Sequence, residues 1–190
     1  MFEIVIVASD NRKPIITEHL KNTPHRISIT PNYELPVNFK PKVVGLVENH
    51  LGAYRCFRGH QDALKISIAE DVLIFEDDAD PNTSNWMDII SHPLICKNYQ
   101  DYEMISFHGR QHNLVDFEPS LIPGYVRPKK DTWIVAALAY MVNRKCIKKL
   151  LSYEYDGLPW DLLLYRTLSY CLLENSCFNH NRSKGSLIDV

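Results

Sequence analysis

The sequence predicts an α/β fold: one domain spanning residues 1–190, with a mostly parallel central sheet flanked by helices. Three observations predict it. Short runs rich in Val and Ile alternate with segments of helical spacing. The first run, 3–9, is nearly continuous in apolar residues, as strands buried on both faces are. The chain shows no internal repeat and no second regime of composition that would mark another domain.

The elements follow in order. Residues 3–9 read as a strand and 26–30 as a weaker one. The segment 31–41 carries Pro31, Asn32, Pro36 and Pro41 and reads as a loop. A short strand is expected at 43–47. A helix is expected over 51–68, where Tyr54, Phe57, Leu64 and Ile68 share a face. Residues 71–75 form a compact strand. Ser84 is read as the N-cap of a helix running to Ile90. Residues 104–107 give a further strand. Residues 109–130 hold Pro119, Pro123, Gly124 and Pro128 without a period, which predicts a long loop. An apolar strand is expected over 133–142, a helix capped by Asn143 over 144–153, and a last helix over 160–173. Residues 174–190 read as a polar, flexible or donor-covering tail.

Composition narrows the function classes. The chain is 45% hydrophobic and 23% charged, which excludes low-complexity and collagen-like proteins. With 21 basic and 23 acidic residues the net charge is −2, which argues against a general polyanion binder. The start lacks a basic n-region, and no run approaches the roughly 18 apolar residues a bilayer span needs, so a cytoplasmic location is expected. Five widely spaced cysteines without a C-x-x-C pair read as buried thiols in a reducing compartment.

The charge is unevenly spread: 4 of the 23 acidic residues, Glu76, Asp77, Asp78 and Asp80, fall within five positions after the apolar strand VLIF. Ligands of open α/β sheets bind outside the carboxyl ends of strands. Crowded carboxylates repel one another unless a cation joins them, and an oxygen-only set selects hard ions such as Mg²⁺ or Mn²⁺. A solvated acidic turn is the alternative reading.

Several segments carry a family pattern. LGAYRCFRGHQDAL (51–64), with Gly52, Cys56 and His60, followed by VLIFEDDADP (72–81), resembles glycosyltransferase family 25, the group of lipooligosaccharide and collagen galactosyltransferases. AALAYMVNRKCIKKLL (136–151) and, more weakly, GLPWDLLL (157–164) are similar to later segments of the family, in the same order. The chain departs from the pattern in its first segment, where only Asn11-Arg12 stands near the usual signature. It departs again at Gly59, where the family has Ser, and in its short length.

The resemblance implies a GT-A fold, a nucleotide-sugar donor of UDP type, a divalent Mn²⁺ or Mg²⁺, and an inverting transfer to a hydroxyl. It places the metal on Asp78, with Glu76 or Asp80 completing the shell and His180 as a late ligand. It assigns the donor to Ser9, Asp10 and Arg12 after the first strand, to His60 and Asp77, and to Arg182 and Lys184 in the tail. Asp161, at a helix start where a carboxylate is favoured by the helix dipole, is the candidate base. Each of these residues also has a plain structural alternative: a βα loop, a first-turn acid or a surface tail. Trp160 is a candidate sugar platform or a core residue.

Two basic clusters, Arg127 to Lys130 and Arg144, Lys145, Lys148 and Lys149, are either solvated faces or a patch for an anionic acceptor. The acceptors considered are a surface oligosaccharide and a hydroxymethylated base in phage-type DNA. The competing class is a degenerate, non-catalytic GT-A-like binding domain. His108 and His112, four apart, make only a weak zinc pair. A metal-dependent phosphohydrolase would want further ligands at other strand ends, and no convincing set is found.

Overall fold

A computed structural model describes residues 2–9, 13–43, 45–108, 117–129, 134 and 136–180. Ten strands and four α-helices are assigned among them. They are β1 (Phe2–Ser9), β2 (Arg26–Thr30), α1 (His50–Ile66), β3 (Asp71–Glu76), β4 (Ala79–Pro81), α2 (Trp86–Ile95) and β5 (Met104–Ser106). The rest are β6 (Phe117–Pro119), β7 (Tyr125–Pro128), β8 (Ala139–Asn143), α3 (Arg144–Ser152), α4 (Trp160–Thr167), β9 (Tyr170–Leu173) and β10 (Phe178–His180).

Eight strands form one sheet in the order β2-β1-β3-β8-β5-β9-β7-β6. Tracing the pairings, six run the same way and only β8 and β7 are reversed, so the mostly parallel sheet is found with a mixed far half. β4 and β10 make a separate antiparallel pair.

The sheet has a buried layer on each face. Val5, Val7, Val72, Ile74, Tyr140 and Val142 pack with α1, α3 and α4. Ile4, Ile6, Leu73, Phe75 and Met141 pack on the other side with Ile16, Leu20, Trp86 and Ile90. This two-sided burial is why β1 and β3 read as unbroken apolar runs. Asn49 caps α1 by accepting the Gly52 N–H at 2.9 Å, and Asn143 caps α3 through the Cys146 N–H at 3.3 Å.

Local interactions explain where the elements differ from expectation. Among the described residues of 43–47 no strand is assigned: the Lys42 N–H bonds Asp156 O at 2.7 Å, and Gly45 sits at φ +82°, outside strand geometry. α2 starts at Trp86, so Asn85 rather than Ser84 is its N-cap. The last helix stops at Thr167, and the apolar run beyond it becomes β9, inserted between β5 and β7. Such a run serves a strand buried in a sheet as well as a helix. Within 109–130, β6 and β7 pair as a hairpin. Among the described residues of the strand expected over 133–142, strand is assigned in β8 alone, and Ala136 upstream of it adopts φ +79°, outside strand geometry. Within the tail, β10 pairs with β4. No helix among the described residues is long and apolar enough to cross a membrane.

Candidate active site at the carboxyl ends of the central strands

From the end of β1 the chain passes to β2 on one side, then through α1 to β3 on the other side of β1. The carboxyl ends of β1 and β3 therefore flank a switch point, where α/β sheets open a crevice. Ser9 ends β1 and Glu76 ends β3.

β3 alternates in pointing direction. Val72 and Ile74 face α1, whereas Leu73 and Phe75 face the opposite layer. Glu76 continues the first set and meets α1 at His60. The strand stops there, and Asp77-Asp78 form a turn into β4. The period-two alternation of β3 therefore does not extend to Asp77 and Asp78. Both turn aspartates are buried, Asp77 to 4% and Asp78 to 5% exposure. Asp77 Oδ2 accepts the Ser9 N–H at 3.3 Å, and its carbonyl accepts the Ile15 N–H at 2.9 Å. The acidic turn is thus tied to the chain on both sides of the β1 exit. Asp80, in β4, has Oδ1 at 3.8 Å from His19 Nε2.

β10 lies antiparallel to β4, with Asn179 opposite Asp80 and His180 opposite Ala79. The backbone of the late histidine is therefore beside the acidic cluster. Asp10, Arg12, Arg182 and Lys184 lie outside the described residues.

His60 is fully buried. Its ring stacks on Trp160 with centroids 5.4 Å apart and planes 6° from parallel. Tyr140 Oη accepts the Trp160 indole N–H at 2.9 Å and so donates its own proton to His60 Nδ1, also at 2.9 Å. His60 Nε2 then carries the ring proton and donates it to Glu76 Oε1 at 3.1 Å. Burial pushes the Tyr140 hydroxyl well above its usual range, which keeps that proton in place. Trp160 is 1% exposed and cannot be a sugar platform; it packs on His60 instead. His60 is an orienting residue for Glu76, and its ring nitrogens are both taken by protein partners. Sequence reasoning gave Tyr140 no role, although it lies in the segment AALAYMVNRKCIKKLL that carries part of the resemblance.

Asp161 sits in the first turn of α4. Its Oδ1 accepts the Leu162 N–H and its Oδ2 the Ala136 N–H, both at 2.8 Å. One turn on, Tyr165 Oη donates to the Ala136 carbonyl at 2.9 Å. The pair clamps Ala136 at both ends of its left-handed backbone, a geometry that costs a non-glycine residue about 1 kcal/mol or more. Burial raises the Asp161 pKa above its ordinary 3.8, against the two N–H donors, and the charge of Glu76 adds to the rise. Cys56, one helical turn before His60, is 8% exposed. Burial holds its thiol protonated, and the charges of Glu76, Asp161, Asp78 and Asp77 push the same way, in that order. These four carboxylates therefore share one region, reached from β3, the acidic turn and α4.

Among the described residues one group of three side chains brings its ligand atoms within 4.8 Å of one another, Cys56, His60 and Glu76, offering sulfur, nitrogen and oxygen; the oxygen-only carboxylates of Asp77, Asp78 and Asp80 are not gathered in that way.

No protein-family model matches the chain, and no curated protein matches it by sequence. Among solved structures it is similar to A197 from STIV, with a TM-score of 0.51 at 10% identity, over 94% of this chain and 83% of that one. It also aligns with a glycosyltransferase involved in the glycosylation of the major capsid of PBCV-1, at a TM-score of 0.49 and 12% identity, over 94% of this chain and 92% of that one. HddC from Yersinia pseudotuberculosis aligns at 0.39 and 12% identity, over 90% of this chain and 69% of that one. At these identities the first likeness establishes a shared fold and nothing finer, and the other two carry no argument.

Proposed function

We propose that the chain is a metal-dependent, inverting glycosyltransferase that moves a sugar from a nucleotide-sugar donor of UDP type to a hydroxyl acceptor. One observation carries the reading. The four segments that resemble family 25 transferases fall on α1, β3–β4, β8–α3 and α4, and three of them bring Cys56 of α1, Glu76, Asp77 and Asp78 after β3, and Asp161 of α4 into one region at the β1/β3 switch point.

The oxygen-only chemistry of Asp77 and Asp78 in the turn and Asp80 in β4, beside the backbone of His180, suits a hard divalent cation, which would have to draw these carboxylates together. Such a cation would neutralise charge growing on a leaving diphosphate. Ser9, with its N–H already on Asp77, marks where the donor's nucleoside end enters. Glu76, fixed by the buried His60, holds its carboxylate toward the same region. Asp161 is the base: it takes the acceptor hydroxyl's proton as that oxygen attacks the anomeric carbon opposite the diphosphate, inverting the centre. Its raised pKa suits that task, since a stronger carboxylate base transfers the proton more readily. The acceptor is a surface oligosaccharide or modified DNA; the basic helix α3 starts at the opposite, amino end of the sheet, where Asn143 lies across from Asp71, and so does not face this site.

A second reading has its own observation. Both Asp161 oxygens already hold backbone N–H groups, which suits a structural clamp in a non-catalytic binding domain. A panel of nucleotide sugars with and without Mn²⁺, read by thermal shift and by transfer, separates the two. The transferase reading requires a Mn²⁺-dependent shift and turnover; a donor at 100 times its dissociation constant adds about 2.7 kcal/mol of apparent stability. Asp161→Asn should keep donor binding and lose transfer. Binding without transfer by the wild type supports the non-catalytic domain, and no shift with any donor overturns both. Steep loss of acceptor engagement with salt would identify DNA as the acceptor.

A further inference from the structure

We propose that Cys56, His60 and Glu76 form a second metal site, for a borderline divalent cation of the Zn²⁺ class, distinct from the oxygen-only set of Asp77, Asp78 and Asp80. The ligand atoms of the three side chains lie within 4.8 Å of one another. Among the described residues this is the one group of three such side chains so placed. Cys56 and His60 are four apart on α1, so they share a helix face. Glu76 comes from the end of β3.

Gly59 permits the arrangement. A Cβ there would collide with Thr30 Oγ1 and lie 3.2 Å from Val7 Cγ1, so only glycine lets α1 approach β1 and β2 this closely. The close approach brings the Cys56/His60 face to the strand end.

The geometry needs little change to close on an ion. His60 Nε2 and Glu76 Oε1 are 3.1 Å apart, near the edge of about 3.3 Å that two ligands span on a tetrahedral zinc. His60 Nδ1 already has Tyr140 Oη at 2.9 Å, the kind of outer partner that orients ligating histidines, and Trp160 fixes Tyr140 in turn. On coordination the thiol proton passes to solvent. The ring proton moves from Nε2 to Nδ1, and Tyr140 Oη changes from donor to acceptor for it, which requires the Tyr140 hydroxyl proton to rotate away from the ring. Sulfur and imidazole ligands favour Zn²⁺ over Mg²⁺ and Mn²⁺, so ligand softness separates the two sites. Three protein ligands leave a fourth position for water or a ligand, and the nearby charges of Asp161, Asp78 and Asp77 attract the cation. The ion would pin α1 to the residue from which the acidic turn departs.

The site does not depend on the transferase reading, and its test needs no turnover. The full chain, stripped by chelator, is titrated with Co²⁺ alone. One equivalent should bind with a thiolate-to-cobalt charge-transfer band, displaced by Zn²⁺ but not by Mg²⁺ or Mn²⁺. Cys56→Ala should abolish the band, and Glu76→Gln and Tyr140→Phe should each weaken binding about 10- to 100-fold. Asp78→Asn should leave the band unchanged. X-ray absorption on the Zn²⁺-loaded wild type should find one sulfur scatterer, a reading independent of how any variant folds. Absence of that sulfur, or a spectrum shared by wild type and Cys56→Ala, would overturn the site.

Discussion

The two ends of the central sheet treat carboxylates in opposite ways. At the amino end, Glu3 Oε2 accepts the Ser67 hydroxyl at 2.7 Å and the N–H groups of Ile68 at 3.0 Å and Ala69 at 3.4 Å. Its Oε1 meets Arg26 Nε at 2.6 Å. Burial alone would raise its pKa, but these partners outweigh burial and leave it below the ordinary 4.5. At the carboxyl end, Asp161 also accepts two N–H groups, yet burial and the charge of Glu76 win and its pKa rises. One end is a closed account of donors and acceptors. The other concentrates negative charge in one largely buried region, an arrangement that invites a cation and stores basicity. Function is to be sought where hydrogen bonding stops short of neutralising the charge.

The comparison breaks first at Asp78. Asp78→Asn should lower Mn²⁺-dependent transfer by about 100-fold or more, roughly 3 kcal/mol of barrier, with the fold intact by circular dichroism. Glu3→Gln should leave transfer within about 2-fold, since Glu3 lies at the opposite end of the strands. Equal losses in the two variants would erase the distinction between the ends.

Next comes the buried hub. Tyr140→Phe removes one hydroxyl but strands two groups, the Trp160 indole N–H and His60 Nδ1, away from water. Each stranded polar group costs about 1–3 kcal/mol, so a loss of about 2–3 kcal/mol is expected in urea unfolding. A loss under about 1 kcal/mol would mean that the hub is not what holds Glu76 in place.

How much of this could be read beforehand differs between the ends too. The acidic turn was legible because 76–80 breaks the composition and follows an apolar strand, two signals local in sequence. Asp161 was legible from its place after Pro159-Trp160. Its clamp on Ala136 was not, because the partner lies 25 residues away and is a backbone N–H, which no residue type advertises. Tyr140 and Cys56 lie in segments of the family pattern but were given no role for a related reason: both read as core, and both are core. Only the 80-residue contact from Tyr140 to His60 gives the hydroxyl its role. In the fold, β9 was missed because its apolar run fits a helix or a buried strand equally, and tertiary pairing with β5 and β7 decides. The β4–β10 pair, three residues on each side, is too short to leave a periodic signal.

The opposite pKa directions give opposite pH slopes. Glu3 is depressed, so its stabilisation is present above its ordinary 4.5 and is lost as pH falls through its folded value. Asp161 is raised, so its favourable contribution is present below its ordinary 3.8 and is lost as pH rises through its folded value. Glu3→Gln should therefore cost about 1 kcal/mol at pH 7, a modest figure because its Arg26 partner is half exposed, and the gap to wild type should close on acidification. For Asp161→Asn the gap should instead widen in the wild type's favour as pH falls. Urea midpoints from about pH 7 to 3.5 check both signs, and parallel behaviour of the two variants would contradict the contrast.

A carboxylate at neither end sets the zero of the scale. Glu118 pairs with Arg127 across the β6–β7 hairpin at 2.8 Å, directly opposite in register, with side chains 44% and 53% exposed. Solvent screens such a pair, and the entropy of holding two long side chains offsets most of the attraction. Glu118→Gln should cost under about 0.5 kcal/mol in low salt, and the difference should vanish near 1 M salt, where the screening length is about 3 Å. The cost of Glu3→Gln should largely survive the same salt, because three of its four contacts are hydrogen bonds from a hydroxyl and two backbone N–H groups rather than an exposed ion pair. If salt removed both effects equally, the amino-end carboxylate would be an ordinary surface charge, and the contrast between the two ends would reduce to exposure.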